Sequence, residues 1–161
     1  MTDNDRGQDR HFLCEAIELA RANVVHGGRP FGALIVRDGA VIASGVNEII
    51  QSHDPTAHAE LLAVRAASQK LGSPDLSGCV VYASGQPCPM CFAAMRMAGV
   101  KKIRFAYSNE QAEPFGLSTA KIAVELAKPL SAQTGISFEH SPPENDPELY
   151  QVWESKKKTG A

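Results

Sequence analysis

Two short stretches of this 161-residue chain hold the side chains with the greatest chemical capacity. His58-Ala-Glu60 sets an imidazole and a carboxylate two residues apart, and Pro87-Cys88-Pro-Met-Cys91 sets two thiols three apart. At the start of a helix, a three-residue spacing puts both sulfurs on one face, and the helix N-terminus favours their thiolate form. Thiolate and imidazole are the ligands that borderline-soft Zn²⁺ prefers. His58, Cys88 and Cys91 would fill three tetrahedral positions and leave the fourth for water, the pattern of a catalytic ion. Such an ion lowers the pKa of its water from about 15.7 to about 7. Glu60, close by but not needed as a ligand, then fits a general acid/base. The set points to hydrolytic attack on an electron-poor carbon.

Two plainer readings compete. A Cys-x-x-Cys is also a redox dithiol, although that role needs no His-x-Glu thirty residues upstream. A closed, structural zinc site would recruit Cys14 or Cys79 as a fourth ligand, but both read as small core residues. Glu60 at this spacing has no role in a closed site, which favours the open one.

The flanking sequence supplies elements to hold these groups. Residues 1–9 read as a polar, disordered tail. From Arg10 to His26, Leu13, Ile17, Ala20 and Val24 form one face of a helix that Gly27-Gly28 ends. Residues 31–37 and 41–46 are β-rich runs joined through Asp38-Gly39, a hairpin signal, with Asn47 at the end of the second. Asp54-Pro55 reads as a cap and first residue of a helix reaching Leu71, burying Leu61, Val64, Ala67 and Leu71. A strand at 79–84, a helix at 88–98, a strand at 102–107 and a helix at 119–127 follow. A last strand at 136–139 and a last helix at 147–157 complete the order. Strands alternating with helices predict an α/β sandwich with a mixed sheet of about five strands, in one domain spanning 10–161.

Composition narrows the function. Sixteen Lys and Arg against eighteen Asp and Glu leave a net charge of −2, which weighs against a nucleic-acid partner. Lys156-Lys-Lys158 reads as a solvated helix end. No apolar run approaches the ~18 residues of a membrane span, and the polar N-terminus shows no export signal. A cytoplasmic protein without membrane contact is the expectation.

Asp54-Pro-Thr-Ala-His-Ala-Glu60 and Pro87-Cys-Pro-Met-Cys91 resemble the motifs of the zinc-dependent cytidine/deoxycytidylate deaminase superfamily. Gly28-Arg-Pro-Phe-Gly-Ala33, the Cys-Pro-Met-Cys helix and Tyr150-Gln-Val-Trp153 are similar, more narrowly, to its bacterial guanine deaminase branch. The resemblance spans about residues 11–157. It implies one Zn²⁺ per chain on His58, Cys88 and Cys91, with Glu60 moving the proton from water to the ring nitrogen and the leaving amine. It implies that Asn47 hydrogen-bonds the base and that Phe31 packs on its face. It places the Ala59 N–H on the ring carbonyl and the Gln86 carbonyl on the departing amine. An α/β/α fold of the cytidine deaminase type, a homodimer and a small-molecule nucleobase substrate are further implications.

Guanine going to xanthine and ammonia is the first expectation. Cytosine or an aminotriazine-type heterocycle, and wobble adenosine on tRNA, are the enzymatic alternatives; a zinc-stabilised scaffold is the non-enzymatic one. Two departures bear on the base. Gly85-Gln86 stands where the branch has Cys-Glu, and Ser118 and Thr119 stand where it has aspartates. A hydroxyl accepts a hydrogen bond as a carboxylate does, but brings no charge.

Overall fold

The computed structural model describes residues 3–142 and 149–158. The chain forms two compact units, Met1–Ala127 and Lys128–Ala161. Elements of the first unit are α1 (Asp3–Val25), β1 (Gly32–Arg37), β2 (Ala40–Val46), α2 (Ile49–Ser52), α3 (Ala59–Leu71), β3 (Val80–Gly85), α4 (Pro89–Met97), β4 (Lys102–Tyr107), α5 (Asn109–Ala112) and α6 (Ala120–Leu126). The second unit carries a 3₁₀ turn at Leu130–Ala132 and α7 (Leu149–Lys158).

Among the described residues, four strands lie in the order β2-β1-β3-β4, with β1 antiparallel to both neighbours and β3 parallel to β4. Asp38 and Gly39, both at positive φ, close the β1–β2 hairpin. Side chains alternate along β1. Ala33 and Ile35 join the core on the side of α3 and α4, while Leu34 and Val36 pack with Phe12 and Ala16 of α1. Helices therefore cover both faces, an α/β/α sandwich.

The expected fifth strand is absent: residues 136–139 form no strand, and Ile136 and Phe138 are exposed. A strand exists only where a neighbour takes its backbone hydrogen bonds, and no described strand pairs with this run. Pro147, where the sequence reading begins the last helix, lies outside the described residues.

Helix α1 begins at Asp3 rather than Arg10, so residues 3–9 are helical and not a tail. Its buried stripe is also one residue off the expected one, running Asp9, Phe12, Ala16, Ala20 and Asn23, while Val24 is half exposed. The stripe escapes a hydrophobicity pattern because both ends are polar. Cys14 lies off this stripe and is exposed, unlike its core assignment; Cys79 is buried as expected.

Asp9 ties α1 to the sheet. The Tyr82 hydroxyl donates to its Oδ1 at 2.6 Å and Arg104 Nε to its Oδ2 at 2.9 Å, with Lys102 Nζ 3.7 Å away. Burial alone would raise this carboxyl, but the two hydrogen bonds and the charges of Lys102 and Arg104 prevail and hold it below its ordinary 3.8. Asp9→Ala, which strands the Tyr82 and Arg104 donors, is expected to destabilise the fold by about 1.5–3 kcal/mol in denaturant melts. A carboxylate with a depressed folded pKa contributes fully above its unfolded value and loses that contribution as pH falls through the folded one. The stability gap between wild type and Asp9→Asn should therefore narrow as pH drops below 3.8.

On the opposite face α3 lies close against β2. A Cβ on Gly45 would collide with the Ala59 carbonyl and come within 2.8 Å of the Ala63 amide, both backbone groups that cannot swing aside. That proximity explains why α3 buries the small side chains of Ala59, Ala63 and Ala67, while Leu61, Val64 and Leu71 are only partly covered. It also sets the depth at which the first turn of α3 stands above the sheet.

Candidate active site

The helix expected from Pro55 begins four residues later, at Ala59. Asp54 caps a turn instead, its carboxylate accepting from the Thr56 amide at 2.8 Å and the Thr56 hydroxyl at 2.7 Å. His58 is left extended (φ −79, ψ 149) at the N-cap, with Glu60 already inside the first turn. The side chains two residues apart thus leave the chain in different directions.

Across the cleft, β3 ends at Gly85 and α4 begins at Pro89, with Cys88 as its N-cap. The Cys91 amide donates to Cys88 Sγ at 3.5 Å. A sulfur receiving a helix N-terminal N–H is stabilised as the anion.

The three ligand atoms of His58, Cys88 and Cys91 lie within 4.8 Å of one another. His58 Nδ1 is 3.5 Å from Cys88 Sγ and 3.6 Å from Cys91 Sγ. Two soft sulfurs and one imidazole, half-buried to buried, fit zinc in number and in kind. Neither Cys14 nor Cys79 belongs to this group, so among the described residues it has three members and is open. Glu60 is buried beside it, one carboxylate oxygen 3.6 Å from Cys91 Sγ.

The charges are arranged to be exchanged. The hydrogen bond with Cys91, followed by that with His58, brings the Cys88 thiol down to about 4 against the cost of burial. Its partners respond in the opposite sense. His58 is raised, chiefly by its hydrogen bond to Cys88, and the Cys91 thiol is pushed up by Cys88 and by burial. Glu60 is raised above the usual carboxylate range, first by burial and further by the Cys88 charge. Burial thus favours the neutral form of this carboxyl, which lets it take up a proton and pass it to a neighbour.

These groups face a cleft of about 270 Å³ whose walls include Phe31, Asn47, Gln86, Ser118 and Thr119. Of the expected site residues, His58, Glu60, Cys88, Phe31, Asn47 and Gln86 line the cleft, Cys91 joins His58 and Cys88 in the ligand group, and Ala59, between His58 and Glu60 in the chain, has its side chain buried in the core. Asn47 Oδ1 accepts from the Ile49 amide at 3.3 Å, which orients its NH₂ group as the free donor. Phe31 lies over Gly85, where a Cβ would come within 2.9 Å of the ring. Glycine at 85 thus makes room for the ring. A larger apolar cavity of about 460 Å³ shares Phe31, Gln86 and Leu117 with the cleft but has no His, Cys, Asp or Glu in its walls. The chemistry resides in the smaller cleft.

Sequence reasoning missed three contributors. Arg29 stands at the exposed rim and its charge opposes protonation of His58. Asn23, on α1, donates to the carbonyls of Arg29 and Asn47, both at 2.8 Å, and so ties the two walls of the cleft entrance together. Asn109 joins the end of β3 to the 116–119 loop. Asn23 and Asn109 are buried polar residues fixed by contacts distant in sequence, and no local pattern announces them.

This chain is similar to known proteins. Residues 6–107 match the cytidine and deoxycytidylate deaminase zinc-binding region. Guanine deaminase of Bacillus subtilis is 44% identical over 124 residues, 76% of this chain and 80% of its own. The X-ray structure of guanine deaminase from Bacillus subtilis superimposes with a TM-score of 0.83 at 39% identity, covering 91% of this chain and 93% of that one. A tRNA-specific adenosine deaminase of Aquifex aeolicus is 36% identical over 96 residues, 60% of this chain and 64% of its own. The crystal structure of NE0047 in complex with 2,6-diaminopurine has a TM-score of 0.65 at 34% identity, covering 67% of this chain and 61% of that one. The match over residues 6–107 takes in both motifs and the elements that position them, and it makes this chain a member of the zinc-dependent cytidine and deoxycytidylate deaminase family, a hydrolytic aminohydrolase.

Proposed function

We propose that the substrate is a free nucleobase, guanine first, which the chain deaminates to xanthine with release of ammonia. The observation that carries this is the pairing of the open His58–Cys88–Cys91 group with a buried Glu60 in the wall of a cleft of about 270 Å³. That volume is close to the lower bound of about 300 Å³ for ligand pockets and suits one or two fused rings. The likeness to a guanine deaminase over most of both chains supports the choice of base.

In this reading His58, Cys88 and Cys91 hold one zinc ion. When bound there, the ion supplies Lewis acidity, lowering the pKa of water from about 15.7 to about 7. Glu60 takes one proton of the attacking water and passes it to the ring nitrogen beside the reacting carbon; it then takes the remaining proton of the added hydroxyl and gives it to the amine, which leaves as ammonia. The Asn47 NH₂ group donates to an acceptor on the base, Phe31 covers the ring face, the Ala59 N–H meets the ring carbonyl and the Gln86 carbonyl meets the departing amine. A homodimer belongs to the same proposal, supported by the large apolar side chains of Phe92 and Met97 on α4 and Phe105 on β4, which one chain leaves exposed.

Ammonia release by zinc-loaded protein tests the reading across guanine, cytosine, adenine, aminotriazines and a tRNA anticodon stem-loop. Guanine is expected to turn over fastest. Turnover of the stem-loop with silence on free bases would overturn the proposal in favour of tRNA adenosine, the activity of the Aquifex relative.

A further inference from the structure

Ser118 and Thr119 both line the cleft, yet the fold gives their hydroxyls opposite hydrogen-bonding characters. Asn109 is the reason. Its side-chain Oδ1 accepts from the Thr119 backbone N–H at 3.0 Å, and since that group can only donate, the Asn109 amide has a single orientation. The Thr119 hydroxyl lies 3.4 Å from the same oxygen and must also donate to it. Its proton is thereby committed, and only lone pairs are left for a ligand. Ser118 Oγ, by contrast, accepts from the Ala120 N–H at 3.3 Å and keeps its own proton. Asn109 is held in turn by its backbone N–H, which donates to Gln86 Oε1 at 3.1 Å, and its side chain is buried.

We propose that Asn109 sets the polarity of this hydroxyl pair, so that Thr119 accepts and Ser118 donates, and that the pair selects heterocycles carrying a ring N–H beside a carbonyl. This rests on the nucleobase reading above and names the substrate class within it. The N1–H and C6 carbonyl of guanine have this polarity. A pair of carboxylates, acceptors both, would instead favour two adjacent N–H donors. Asn109 is a positioning residue, and Thr119 and Ser118 are the groups that discriminate.

The test compares kcat/KM for guanine and for 2-aminopurine, which keeps the reacting amine but has neither the ring N–H nor the carbonyl. Zinc-loaded wild type is expected to prefer guanine by at least about tenfold, the size of one buried donor left unpaired. Thr119→Val, which removes the acceptor with little change of shape, should reduce that ratio by about tenfold. Asn109→Leu should reduce it likewise, and Asn109→Asp, which still accepts both Thr119 hydrogens, should restore it. A residue that only supported the fold would lower both rates together and leave the ratio unmoved. A wild-type ratio near one, or a ratio that Thr119→Val leaves intact, would overturn the inference while the nucleobase reading stood. Wild-type turnover of neither purine would overturn both.

Discussion

Replacing Glu60 by glutamine is expected to leave zinc content and thermal melting as in wild type while lowering kcat at least about 100-fold. Glutamine keeps the shape and two of the polar atoms but neither takes up nor gives back a proton. The carboxyl is buried and lies outside the ligand group, so its loss does not open the metal site. Burial and the Cys88 charge both raise its pKa, which favours a proton resting on it between transfers. A group that merely shaped the pocket would change KM first; one that moves the proton changes kcat. Parallel measurement of metal content, melting temperature and steady-state rates separates the two. A kcat equal to wild type would remove Glu60 from the mechanism.

Cys88→Ala is expected to remove zinc and activity together. Elemental analysis should find about one zinc per wild-type chain and a small fraction of that in the variant. The rate should fall at least about 1,000-fold, since the ion supplies several kcal/mol and each 1.36 kcal/mol is tenfold. The Cys88 thiol, at about 4, is already ionised at neutral pH, and it holds His58 by a 3.5 Å contact. The Cys91 thiol is shifted the other way, above its ordinary 9.0, so at neutral pH it must lose a proton when the metal enters. Zinc uptake should therefore release protons, and affinity should fall as pH falls. Calorimetric titration in buffers of different ionisation enthalpy reads that release directly. Full activity in metal-depleted wild-type protein would refute the zinc mechanism.

Much of the site is written locally. His58-Ala-Glu60 and Cys88-Pro-Met-Cys91 are short motifs whose spacings alone place imidazole, carboxylate and two sulfurs for a metal and a proton carrier. The hairpin at Asp38-Gly39 is equally local, because two residues at positive φ settle the turn. Zinc chemistry, a hydrolytic deaminase and a mixed α/β sheet follow from such signals.

Tertiary structure decided what depends on groups far apart in the chain. The true buried face of α1 rests on Asp9, which a hydrophobic pattern counts as solvent-facing until Tyr82 and Arg104 satisfy it. The late start of α3 follows from a turn at Asp54 that competes with the helix for the same carboxylate. The number of strands depended on whether residues 136–139 find a backbone partner, a question that lies outside those four residues. The polarity of the Thr119 hydroxyl depends on Asn109, ten residues away along the chain and oriented only by the folded backbone. Ligand identity is carried by side-chain type, whereas burial and hydrogen-bond direction are properties of neighbours, and neighbours exist only after folding.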